Sequence, residues 1–94
     1  MKEIENKELS ATFEGRKLFL SSKKADYRHT FDGLTKLVRE QMGYAPKPEE
    51  VYVFLVEGND QVKILMQEAN EPLMCELTGE QARRMTRICM DITN

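Results

Sequence analysis

Val51-Tyr52-Val53-Phe54-Leu55-Val56 runs unbroken between polar flanks. A strand with one face in water alternates apolar and polar residues, whereas this run is apolar on both faces. It therefore reads as a central strand, at 51–56. Glu57-Gly58-Asn59-Asp60 follows as a hairpin signal. Beyond it Val62, Ile64 and Met66 alternate with Lys63, Leu65 and Gln67, which predicts a return strand over 62–68. Asn70-Glu71-Pro72 is a second turn. Leu73, Cys75 and Leu77 alternate with Met74 and Glu76 as a third strand, 73–77.

Upstream, Leu9, Ala11 and Phe13 alternate with polar residues and predict a strand near 8–13. Glu14-Gly15 marks a turn, and Lys17-Leu18-Phe19-Leu20 a strand near 16–20. Residues 1–7 are charged and read as a frayed lead-in. Asp26 is placed to cap a helix over about 27–42. Its buried stripe is Tyr27, Phe31, Leu34, Val38 and Met42, widened by Leu37, with Arg28, Asp32, Lys36, Arg39 and Glu40 mostly opposite. Gly43 ends that helix, and Pro46 and Pro48 prevent its return. A second helix is expected over 79–92, opened by a Thr78–Gln81 capping box and carrying Ala82, Met85, Ile88, Cys89 and Ile92 inward. This order predicts one α+β domain, 1–94, with a small antiparallel sheet and two helices packed on one face.

With 94 residues and a net charge of −2, the chain lacks the basic coat of a general nucleic-acid binder, so any such contact needs a local patch. No apolar run reaches the ~18–20 residues that span a bilayer, and the charged first residues lack a signal core. A cytoplasmic protein is expected, with Cys75 and Cys89 as free thiols.

Catalytic and metal motifs are absent from the sequence. His29 is the single histidine, with no Cys-x-x-Cys or second histidine beside it, and no glycine loop precedes a Lys-Ser or Lys-Thr pair. No cofactor is expected. The candidate residues are partner or DNA contacts: the exposed side of the first helix (Arg28, Asp32, Gly33, Lys36 and Arg39), with Lys63 and the arginines 83, 84 and 87. Arg83, Arg84 and Arg87 share a helix side and could grip phosphates bidentately, or form an ordinary solvated face. Lys63 interrupts an apolar strand, either as an edge charge that discourages sheet association or as a cation offered to a partner. Asp26 and Arg28 read as a helix cap and a solvated arginine, or as a partner or phosphate contact. Gly33, after Asp32, costs a helix interior about 1 kcal/mol relative to alanine. Its compensation is close approach of another backbone, or a notch in which a partner docks.

Asp26-Tyr27-Arg28-His29-Thr30-Phe31-Asp32-Gly33-Leu34, followed by Val38, resembles a motif of the insertion-sequence-sixty-six type accessory protein, the TnpB-type product of the second open reading frame. Tyr52-Val53-Phe54, then Glu57-Gly58-Asn59, then Asp60-Gln61-Val62-Lys63-Ile64-Leu65 is similar to the family's second block. The resemblance covers roughly residues 16–77. The family turn is usually arginine-rich; here Val56-Glu57-Gly58-Asn59 stands instead, so the phosphate contact of a basic turn is missing. The resemblance implies a non-catalytic accessory of DNA transposition that contacts the element's transposase, its DNA, or both. A protein-only interaction module is the alternative.

Overall fold

The computed structural model describes residues 1–58 and 60–93, so Asn59 of the first hairpin turn lies outside the described residues. The elements are β1 (Lys2–Ile4), α1 (Lys7–Thr12), β2 (Lys17–Leu20), α2 (Phe31–Met42), β3 (Glu50–Leu55), β4 (Gln61–Glu68), β5 (Glu71–Thr78) and α3 (Gly79–Thr93). The strands form one sheet in the order β1-β2-β3-β4-β5. The α+β class and the β3-β4-β5 meander are as expected. The sheet is antiparallel except between β2 and β3, which pair in parallel, Leu18 against Val51 and Leu20 against Val53. A parallel pair needs a crossover, and α2 supplies it.

Strand β3 accounts for the layering. Val51, Val53 and Leu55 join Val62, Ile64, Ala82, Met85 and Cys89 in one core. Tyr52, Phe54 and Val56 join Ala25, Leu34, Val38 and Leu65 in the other. Each long helix thus covers one face of the sheet, and the two faces differ: α2 lies on one, α3 on the other. A central strand apolar on both sides requires cover on both.

Four local expectations are corrected. The stretch near 8–13 is helix α1, not a strand: the Asn6 side chain accepts the Leu9 N–H at 3.0 Å as an N-cap. Leu9 and Phe13, four residues apart, pack on the α3-side core while Ala11 is exposed. Residues 1–7 are not a frayed lead-in, because Lys2–Ile4 pairs with Leu18–Leu20 and Ile4 is buried. Helix α2 begins at Phe31 after Thr30, so Asp26 is not its cap. At α3, Gly79 takes φ +61°, and the Thr78 hydroxyl makes no hydrogen bond among the described residues, so the expected capping box is not formed.

Candidate partner interface

The segment 25–30 is anchored at both ends. Ala25 bridges Val56 in parallel; its N–H donates to the Leu55 carbonyl at 2.7 Å, and its carbonyl accepts the Glu57 N–H at 3.0 Å. At the other end Thr30 opens α2 in an extended conformation, without a side-chain cap bond. Between them the chain closes a tight turn. Asp26 Oδ1 accepts the Arg28 N–H at 2.9 Å, and the Asp26 carbonyl accepts the His29 N–H at 3.0 Å. His29 Nδ1 accepts the Asp26 N–H at 2.7 Å. Asp26 therefore caps a turn of its own, as aspartate commonly does. The Arg28 backbone bond, helped by the Arg28 guanidinium, holds the Asp26 carboxyl below its ordinary 3.8.

Lys63 supports this turn from beneath. It is 2% exposed, on a strand that has neighbours on both sides, and its Nζ donates to the backbone carbonyls of Tyr27, at 2.8 Å, and His29. Both sequence options for Lys63 are thereby corrected: it neither guards an edge nor offers a charge to a partner. Its ammonium is desolvated, and a buried cation needs such acceptors.

Gly33 is explained by His29. A Cβ at position 33 would stand 3.0 Å from His29 Cδ2. The expected close approach exists, but it is made by an imidazole of the preceding turn and not by a strand backbone.

The turn displays what it carries. Tyr27 is 72% exposed, although its spacing suggested a buried stripe. It falls outside the helix, so its four-residue interval to Phe31 has no helical meaning. The Arg28 guanidinium lies 5.8 Å from the Tyr27 ring centroid and pairs with Asp26 at 3.3 Å. Asp32, Lys36 and Arg39 are exposed along α2, and Lys36 and Arg39 form no ion pair among the described residues. Arg28, Asp32, Lys36 and Arg39 thus belong to the α2 side, with Tyr27, which sequence spacing had assigned to the core.

Arg83, Arg84 and Arg87 belong to α3, across the sheet. All three are exposed and acid-paired: Arg83 and Arg87 with Glu80 at 3.0 and 3.4 Å, and Arg84 with Glu8 of α1. The residues proposed from sequence therefore do not form one surface. Among the described residues no group of three His, Cys, Asp or Glu side chains is placed to hold a metal, and no helix is long and apolar enough to cross a membrane.

A buried polar cluster, missed from sequence, underlies the end of α2. Glu50 Oε1 accepts from Tyr44 at 2.8 Å and Tyr52 at 2.7 Å, and the Tyr52 hydroxyl accepts the Lys47 N–H at 3.0 Å. Burial, then the Glu50 bond, pushes the Tyr52 phenol up. These bonds fix the 43–50 connection.

The chain is a small α+β domain that displays Tyr27 and Arg28 on a turn anchored by Lys63. The profile of the family described as IS66 Orf2 like protein matches residues 16–83, and the chain belongs to that family, a transposition-associated accessory group. The match takes in the turn, α2 and the meander, and ends in the first turns of α3. Searches of curated proteins and of solved structures each found no match.

Proposed function

We propose that this chain is a non-catalytic accessory of transposition that docks on its element's transposase through the 26–30 turn and the outer side of α2. The observation that carries the proposal is Tyr27: a large aromatic side chain, 72% exposed, on a turn fixed by a buried lysine. Exposed tyrosine beside arginine is the composition of an interface hot spot, and a turn already rigid loses little entropy on binding. Family membership supplies the transposition context. The net charge of −2 and the acid pairing of the α3 arginines favour protein over DNA as the first contact.

The test is capture of the transposase by the tagged chain from host extract, with and without nuclease, beside Tyr27→Ala and Arg28→Ala. Retention after nuclease, lost in both variants, is the expected result. Retention only without nuclease would replace the proposal with DNA bridging, through Arg28, Lys36 and Arg39. Absence of the transposase in both arms would remove the proposal.

A further inference from the structure

The outer edge of β5 is open. β5 ends the sheet and is eight residues long, against three for β1 at the opposite end. The loop between β4 and β5 is Ala69-Asn70, with φ of 51° and 67°, closed by Glu68 against Glu71. In a two-residue hairpin of this kind the residues flanking the loop exchange both backbone bonds. Glu71, Leu73, Cys75 and Leu77 therefore turn their N–H and C=O groups to β4. Pro72, Met74, Glu76 and Thr78 turn theirs outward. Pro72 fits that side, where its missing N–H breaks no bond within the sheet. Among the described residues no other segment bonds to this edge.

Long edges are normally blunted by bulges, brevity, proline or charged side chains; this edge has Pro72 near one end and Glu76 on the α2 side. Here Leu73, Cys75 and Leu77 lie opposite Met66, Ile64 and Val62, on the α3 side. Leu73 is 39% exposed and the other two are half-buried. Glu76 points to the α2 side, so it does not charge this apolar row.

We propose that this edge pairs, antiparallel, with the same edge of a second copy of the chain, about a two-fold axis at Cys75. Self-pairing keeps like faces together, so candidate registers differ by steps of two residues. With Cys75 opposite Cys75 of the second copy, Leu73 meets Leu77 on both sides of the axis and Met74 meets Glu76. One step in one direction sets Glu76 against Glu76, a like-charge pair that destabilises a ladder. One step in the other sets Leu77 against Glu71. Of the three registers, only the one centred on Cys75 matches apolar to apolar along the whole α3-side row of Leu73, Cys75 and Leu77. It also makes Met74 and Glu76 the bonded pairs, which is what their outward groups require. Pro72 leaves one bond unmade at each end.

A second feature meets the same register. An apolar cleft of about 200 Å³ opens between α1 and α3, lined among others by Leu9, Phe13, Leu77, Met85 and Ile88. Leu73 of the second copy, directly opposite Leu77 with Cβ atoms about 5 Å apart, sits at its mouth. The most exposed apolar side chain of the edge and the apolar cleft beside it would cover one another twice in an isologous dimer.

The register also supplies its own probe. A pair that is not backbone-bonded brings Cα atoms to about 4.5 Å, within disulfide range. The full chain is measured by sedimentation up to tens of micromolar, then treated with diamide, which takes up the two electrons and two protons released by two thiols. The expected result is a species of twice 10.9 kDa and a reducible covalent dimer. Cys75→Ser removes the covalent link and keeps the non-covalent dimer. Leu73→Lys, at an exposed position, weakens association about tenfold or more while circular dichroism stays unchanged. A monomer throughout the range overturns the proposal, as does a dimer that fails to link through Cys75. The link is read on the unaltered chain, so the outcome does not depend on a variant folding. It is read on the isolated chain without a transposase, so its failure is distinguishable from failure of the docking proposal.

Discussion

The imidazole of His29 occupies the space that a side chain at residue 33 would need: its Cδ2 lies 3.0 Å from where a Gly33 Cβ would stand. The ring cannot simply withdraw, because its Nδ1 accepts the Asp26 N–H and its backbone carbonyl is held by Lys63. The helix glycine and the preceding turn are thus one unit.

Gly33→Ala should consequently fail to yield the helix gain of about 1 kcal/mol that the substitution gives in an open helix. In a His29→Ala background the gain should return. Urea denaturation of the four chains of this double-mutant cycle measures it. Equal effects of Gly33→Ala in both backgrounds would separate the two residues.

Lys63→Met keeps the apolar stem and removes the ammonium. The Tyr27 and His29 carbonyls lose their donor, so a stability loss of about 1–3 kcal/mol is expected. Hydrogen exchange should accelerate at the Arg28 and His29 amides before it does in β3 and β4. Uniform acceleration would mean that Lys63 serves the sheet as a whole and not the turn.

Asp26 sets a pH dependence. Its folded carboxyl titrates below 3.8, because the Arg28 backbone and guanidinium bonds favour the charged form. The stabilisation it lends the turn is therefore complete above the unfolded value of about 3.8–3.9. It is lost as pH falls through the lower folded value. The Arg28 amide shift, followed by NMR into strong acid, should report a midpoint below 3.8. Asp26→Asn should abolish that titration.

Replacing Arg83, Arg84 and Arg87 together by glutamine should leave transposase capture unchanged, since they lie across the sheet from Tyr27. Their exposed pairs with Glu80 and Glu8 contribute little each, so the fold should tolerate the loss. If the chain binds DNA, the salt slope should fall by less than about 2–3, the drop expected were each to neutralise a phosphate. A full drop would move the DNA surface to α3.

Periodicity made the central strand, the meander and both long helices legible, because six to fifteen residues repeat a pattern. It failed at Leu9, Ala11 and Phe13, where three residues fit a strand and two of them fit a helix equally well; the Asn6 cap decided for the helix. The start of α2 was misplaced because Asp26 can cap either a helix or a turn, and the choice rests on bonds from His29 and Lys63. Of the candidate site, Arg28, Asp32, Lys36 and Arg39 were legible as exposed polar positions. Tyr27 was not, since its exposure depends on where the helix begins. Lys63 looked like a surface charge because the carbonyls that bury it lie far away in the chain.

The bond between Lys63 and the Tyr27 carbonyl spans a sequence separation of 36 residues. During synthesis the motif that carries Tyr27 emerges well before the strand that holds it in place. A product truncated ahead of β4 would contain every residue of the displayed turn and still lack its support. The proposed docking surface is thereby tied to completion of the meander, so that only a chain finished through β4 would present it in its fixed form.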